Sequence, residues 1–253
     1  MTKYKIMFSP TGGTKKVLDI MTDYWNDDVV EIDLCDPNFD FSSVKPGPED
    51  SVMIAVPSFG GRAPECAMER LSQIQADKTP TVLITVYGNR AYEDTLLELK
   101  TTAEKAGFMP LAAVAAVAQH SIVPKFGEGR PDAEDRKELL DFCEKIQAAR
   151  IIGIPHFLKV PGTYPYKEFK GLSFHPAAGK ECTKCGLCAR SCPVGAIPED
   201  DPSQTDRKAC ITCMRCVSIC PVQARGLSRL EKFVAETGLK KACSGRKPNE
   251  LFL

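Results

Sequence analysis

The chain has 253 residues, 43% of them hydrophobic and 26% charged, and its 33 basic and 33 acidic side chains balance to zero. That length fits one or two globular domains at roughly 150 residues each, and the composition excludes a disordered or fibrous chain. Zero net charge argues against a general nucleic-acid binder, and the longest apolar run, Leu111–Ala118, is far short of the ~18 residues of a membrane span.

Lys3–Phe8 reads as a short strand. Lys15–Trp25 follows as a helix, with Val17, Leu18, Met21 and Trp25 at helical spacing. Val29–Leu34 is a second strand. Ser51–Pro57 is a third, and its near-continuous apolar character fits a strand covered on both faces. Ala63–Ile74 is expected as a helix, with Pro64 tolerated in its first turn. Thr81–Tyr87 is a fourth strand, and Tyr92–Ala106 a helix stopped at Gly107. Leu111–Ala118 is a fifth strand, although its alanines leave a buried helix open. Pro131–Arg150 is a helix with Leu139, Leu140, Phe142, Cys143 and Ile146 on its apolar face. Strands alternating with helices predict a parallel, doubly wound sheet in residues 1–150.

Ligands of such sheets bind beyond the carboxyl ends of the strands. Three loops in that position stand out. Ser9, Pro10, Thr11, Gly12, Gly13 and Thr14 follow the first strand and open the first helix. Hydroxyls and glycine amides at a helix N-terminus suit a phosphate. The loop lacks the Gly-Lys pair of a Walker motif and the GxGxxG of a dinucleotide loop; an ordinary capped turn is the alternative. Pro57, Ser58, Phe59, Gly60, Gly61 and Arg62 follow the third strand, and Tyr87, Gly88, Asn89, Arg90, Ala91 and Tyr92 the fourth. Each pairs flexible backbone with an aromatic suited to a flat ring.

With these residues the domain resembles a flavodoxin. Ser9, Thr11, Gly12, Gly13 and Thr14 match that family's phosphate loop, S/T-x-T-G-x-T. The resemblance implies a five-stranded sheet of order 2-1-3-4-5. It also implies FMN, with its phosphate on the first loop and its ring between the other two. No Trp lies in the ring loops, so Phe59, Tyr87 and Tyr92 are the candidates to cover the ring. Trp25 belongs in the core. Arg62 and Arg90 are unusual so near a flavin.

Of 12 cysteines, eight fall in two runs. Cys182, Cys185, Cys188 and Cys192 are followed by Pro193; Cys210, Cys213, Cys216 and Cys220 are followed by Pro221. Such a cluster in a reducing compartment points to metal rather than disulfides. Tandem C-x2-C-x2-C-x3-C-P runs resemble bacterial two-cluster ferredoxins. Zinc also uses CxxC pairs, but it explains two triads, each with a trailing Cys-Pro, poorly. The resemblance implies two 4Fe–4S clusters, one on Cys182, Cys185, Cys188 and Cys220, the other on Cys210, Cys213, Cys216 and Cys192. Arg225 stands where the family pattern has an apolar residue.

The expected organisation is a flavodoxin-like domain over 1–150, a Pro- and aromatic-rich linker over 151–178, a small α+β ferredoxin domain over 179–228, and a C-terminal helix and tail over 229–253. Interleaved Phe157, Tyr164, Tyr166, Phe169 and Phe174 suggest a linker that packs on the domains. His156 and His175 read as structural. Leu227, Leu230, Phe233 and Val234 form one helical stripe, and the apolar end Leu251-Phe252-Leu253 either docks on the body or frays. Residues 1–150 carry a net −7 and the remainder +7, so the basic linker and tail are expected against the acidic domain.

The whole resembles flavodoxin–ferredoxin fusions of anaerobic microbes. That resemblance implies a cytoplasmic electron carrier, coupling one-electron clusters to a one- or two-electron flavin and serving redox partner proteins. The alternative is an FMN-dependent reductase, whose anionic substrate Arg62, Arg90 and His120 would bind.

Overall fold

The computed structural model describes residues 1–152 and 157–253; Pro155 and His156 of the linker lie outside the described residues. Strands β1 (Lys3–Met7), β2 (Val29–Asp33), β3 (Ser51–Pro57), β4 (Thr79–Tyr87) and β5 (Phe108–Val117) are all mutually parallel. Helices α1 (Gly13–Asp23), α2 (Glu65–Leu71), α3 (Thr95–Lys105) and α4 (Ala133–Ile152) connect or follow them. The alanine-rich fifth segment is therefore a strand.

Period-two alternation explains the two layers. Ile6, Phe8, Val52, Ile54, Val56 and Leu83 face one core with Leu71, Leu96 and Leu99 of α2 and α3. Their neighbours Met7, Met53, Ala55, Val82, Ile84 and Val86 face the other, with Val17, Leu18, Leu139 and Phe142 of α1 and α4. A sheet apolar on both faces must be covered on both. Trp25 packs at the edge of the second core.

Strand order is β2-β1-β3-β4-β5, the flavodoxin-like order, which puts the switch point between β1 and β3. A sixth strand extends it. β8 (Glu250–Phe252) pairs antiparallel with β5, placing Ala113, Val114 and Ala115 opposite Phe252, Leu251 and Glu250. The tail thus docks as an edge strand.

The cysteine-rich region is small and two-fold repetitive. Short helices α5 (Leu187–Arg190) and α6 (Arg215–Ser218) each follow a cysteine loop, and β6 (Ala177–Ala178) pairs antiparallel with β7 (Arg225–Gly226). Helix α7 (Arg229–Leu239) follows, started by a capping box between Ser228 and Glu231. Its apolar stripe lies mostly in solvent. Leu227 is buried, but Leu230, Phe233 and Val234 are exposed; Ala235 and Leu239 make the contact, against Val123, Phe126 and Phe174. Among the described residues, no helix is long and apolar enough to cross a membrane.

Candidate functional site

A cavity of about 460 Å³ lies beyond the carboxyl ends of the strands, in the size range of small-molecule sites. Its floor is the β1 loop. Gly12 has φ +87, the left-handed region open to glycine, and caps α1 without a side-chain hydrogen bond. The first amides of a helix have no intrahelical acceptor. Ser9 Oγ accepts from Lys15 N–H at 2.8 Å, while Thr11, Gly13 and Thr14 line the cavity. The remaining helix-start amides and the adjacent threonines fit an anion.

Pro57, Ser58, Phe59 and Gly60 form one wall, and Tyr87, Gly88 and Arg90 another. Gly60 has φ +61, and a Cβ there would meet the Phe169 ring at 2.3 Å. The linker therefore lays an aromatic directly on this loop. Other expected residues have different tasks. Gly61, at φ +92, packs against the Glu93 side chain. Asn89 donates to the carbonyls of Cys243 (2.7 Å) and Gly245 (2.8 Å). Tyr92 turns from the cavity to donate to Glu250 at 2.5 Å. Tyr87 lines the cavity, and its hydroxyl donates to Pro248 O at 2.8 Å; burial pushes its phenol up to about 12.

The polar groups read as substrate-binding are committed elsewhere. Arg62 forks onto Glu98, at 2.8 and 2.7 Å, and donates to Lys167 O at 2.8 Å. Arg90 pairs with Glu93 at 3.1 Å. His120 lines the cavity, but its Nδ1 accepts from Ile122 and Val123 N–H at 3.1 and 3.2 Å. Burial, with Arg90 nearby, lowers its imidazole to about 4, so it is neutral at pH 7.

Sequence reasoning missed the roof. Phe169, Leu172 and Phe174 of the linker, and Val234, Ala235, Gly238 and Leu239 of α7, close over the cavity. These segments lie far from the β-loops in sequence. The linker is held by Asp94, which accepts from Thr163 N–H (2.8 Å) and Lys167 N–H (2.7 Å).

The cysteines gather in two smaller cavities. Cys182, Cys185, Cys188 and Cys220 line one; Cys192, Cys210, Cys213 and Cys216 line the other. The two loops share a backbone pattern. Lys184 and Gly186 have positive φ in the first, Thr212 and Met214 in the second, and Gly195 and Gln223 after the trailing Cys-Pro pairs. Ala196 N–H donates to Cys192 Sγ at 3.3 Å, and Ala224 N–H to Cys220 Sγ at 3.2 Å. Burial pushes the Cys213 thiol up to about 12 and the Cys216 thiol up to about 11. Such thiols ionise near neutral pH only with a cation to bind them. Four thiols around each cavity fit a cube-shaped cluster. Among the described residues, no three His, Cys, Asp or Glu side chains stand close enough to share a single metal ion.

The two regions touch. Arg70 donates to Leu34 O (2.6 Å) and Pro193 O (2.5 Å), Ser218 Oγ donates to Pro10 O (3.2 Å), and Arg215 lies 3.6 Å from Asp33. Ile211, Thr212 and Cys213 form part of the large cavity's wall.

Residues 181–225 match the 4Fe-4S dicluster domain family. The pyruvate synthase subunit PorD of Methanocaldococcus jannaschii is 40% identical over 63 residues, covering 24% of this chain and 73% of that protein. Among solved structures, a Streptococcus pneumonia flavodoxin aligns over 58% of this chain and 99% of its own, at 18% identity and TM-score 0.42. Flavodoxin 2 of Bacillus cereus covers 58% and 99%, at 12% identity and TM-score 0.45. A Fusobacterium nucleatum flavodoxin bound to flavin mononucleotide covers 58% and 98%, at 14% and 0.38. Likeness at that level adds nothing to the strand order, which assigns the α/β fold on its own. The chain thus belongs with the 4Fe-4S dicluster proteins, in a flavodoxin–ferredoxin arrangement of a flavodoxin-like domain followed by a 4Fe-4S domain.

Proposed function

We propose that the protein is an electron relay between two 4Fe–4S clusters and one FMN, built as a flavodoxin-like domain (1–150), a packed linker (151–178), a ferredoxin domain (179–228) and a C-terminal clasp (229–253). One observation carries this reading: Cys213 lines both the large cavity and one of the two cysteine cavities. A ligand to one cluster would then be part of the flavin's own wall. When bound, the clusters supply one-electron chemistry and FMN one- or two-electron chemistry.

The chain's residues do the positioning. Amides and hydroxyls of Thr11, Gly13 and Thr14 would hold the phosphate, with Ser9 bracing Lys15 N–H. Phe59, Tyr87 and Phe169 would flank the ring, and α7 with the linker would keep water from it. Cys185 is exposed, whereas Cys192 and Cys213 are buried. The group containing Cys185 is therefore the port for a partner protein, and the group containing Cys213 the inner station. A reductase of a small anion is less well supported, because Arg62 and Arg90 are already paired.

The test is anaerobic reconstitution of the full chain. About eight iron, eight sulfide and one FMN per chain are expected from the ferredoxin pattern. Thr11→Ala with Thr14→Ala removes two hydrogen bonds to a charged group, each worth about 1.5–3 kcal/mol, so FMN affinity drops at least tenfold. Cys213→Ser loses one cluster and slows flavin reduction. Zinc without labile sulfide, or unchanged FMN affinity in the double variant, overturns the assignment.

A further inference from the structure

Arg225 breaks the internal repeat of the cysteine region. It follows Cys220 by the same interval at which Ile197 follows Cys192. Ile197 is buried in the wall of the cavity that holds Cys213. Arg225, only 4% exposed, lines the cavity that holds Cys185. A guanidinium so deeply buried is strongly unfavourable unless its charge is compensated. Its oxygen partners are neutral. Nη1 donates to Pro202 O at 2.6 Å; Nη2 donates to Pro176 O at 3.3 Å, Gln204 O at 3.4 Å and the Thr205 hydroxyl; Nε is buried with no partner among the described residues. These carbonyls fix the group in place without neutralising it. What remains is sulfur: Nη1 donates to Cys188 Sγ at 3.7 Å.

We infer that Arg225 is a fixed counter-ion to the cluster held by Cys188, raising the reduction potential of that cluster above all. The inference rests on the cluster ligation proposed above. Reduction adds one electron, supplied by the titrant, and no protein bond forms or breaks. The reduced cluster is one unit more negative, so a cation held a few ångströms away in a low-dielectric site favours it. Net charge and hydrogen bonds to sulfur are known levers on cluster potential. The repeat offers an internal contrast, since the matching wall position of the other cavity is apolar Ile197.

The experiment is an anaerobic redox titration followed by electron spin resonance, with iron content, on the parent chain and on Arg225→Gln, Arg225→Met and Arg225→Lys. The glutamine and methionine variants are expected to shift the reduction equilibrium at least tenfold toward the oxidised form, or 59 mV for a one-electron couple. The larger shift should belong to the signal that Cys185→Ser removes. Lysine, which keeps the charge, should stay within about threefold of the parent on the same scale. Loss of iron from both neutral variants but not from lysine also supports the counter-ion. Full iron with unmoved potentials in the neutral variants overturns it. So does a lysine shift as large as glutamine's, or iron loss in all three, which would mark Arg225 as packing. A parent chain without any 4Fe–4S signal would instead overturn the cluster ligation itself, a distinct result.

Discussion

Asp135 ties the C-terminal strand to the domain, and replacing it with Asn tests the whole clasp. Its carboxylate is fully buried. It accepts from Arg130 Nε (2.9 Å) and Nη2 (2.5 Å), Arg246 Nη2 (3.0 Å), Asn249 Nδ2 (3.0 Å) and Asp132 N–H (3.0 Å). Asp135→Asn keeps the shape and removes the charge. Arg130, itself buried, would then keep only Lys247 O at 2.7 Å and Asn89 Oδ1 at 3.5 Å besides the new amide. Breaking one side of a buried ion pair costs about 3–5 kcal/mol. The amide oxygen still accepts a bond, which favours the lower end, about 3 kcal/mol on the same scale. With an m-value of about 2 kcal/mol/M in urea, the midpoint falls by about 1.5 M. The local effect reaches the cavity. Asn249 Oδ1 accepts from Val117 N–H at 2.8 Å, and Asn89 holds the carbonyls of Cys243 and Gly245, just after the Gly238–Leu239 roof. Urea unfolding followed by circular dichroism, with hydrogen exchange across 249–252, reads both effects. A midpoint within about 0.3 M of the parent and unchanged exchange would refute the reasoning.

Two further predictions concern the interface and acid. Arg70→Met removes the donor shared by Leu34 O and Pro193 O; the cysteine region should loosen, and flavin reduction through the clusters should slow while iron and FMN contents hold. Equal stopped-flow rates in parent and variant would count against this docking role. Asp132 and Asp135 are both held below the usual carboxylate range. Arg246 is the first cause at Asp132; at Asp135 burial opposes the shift, and Arg130 with its other donors overcomes it. Because their folded pKa values are depressed, their contribution is complete above the unfolded value near 3.9 and is lost as pH falls below it. The tail should stay docked from neutral pH to about 4 and be released progressively as pH falls from there toward the depressed folded values, as read by pepsin cleavage of the last residues. Release independent of pH in that window would reject the linkage.

Much of the architecture was legible because its signals are local. Val52, Ile54 and Val56 alternate with Met53 and Ala55 onto two cores, as their near-continuous run implies for a strand covered on both faces. The loop from Ser9 to Thr14 was legible as a site candidate from glycine next to hydroxyls, and its Thr11, Gly13 and Thr14 line the large cavity. What escaped depends on partners far along the chain. Arg62 looked free beside a ring loop, yet Glu98 captures it from α3. Phe169 reaches Gly60 from the linker. β8 is only three residues long, too short to show a period, and its register is set by Asn249 and the open edge of β5. The spacing of the α7 stripe was legible, but not that Ala235 and Leu239 beside it would make the contact with Val123, Phe126 and Phe174.

The opposed charges of the two halves suggested electrostatic docking, and the contacts narrow what charge contributes. Arg246 meets Asp132 and Glu134, Lys167 meets Glu93, and Arg215 meets Asp33, each basic residue lying in the second half and each acid in the first. Most of these side chains are substantially exposed, and exposed pairs contribute about 0–1 kcal/mol and fade with salt. Of the buried contacts, Asp135 with Arg246 is ionic, and the others are of another kind. Asn249 and Asn89 satisfy backbone groups of the opposite half, and β8 adds a hydrogen-bonded strand to β5. These neither need net charge nor weaken much with ionic strength. Surface charge asymmetry therefore guides the halves together, while the buried Asp135 cluster, neutral hydrogen bonds and strand pairing hold them. High salt should slow the reassembly of separated halves more than it loosens the assembled protein. That division would suit the relay proposed above, whose internal distances must stay fixed while its charged surface meets changing partners.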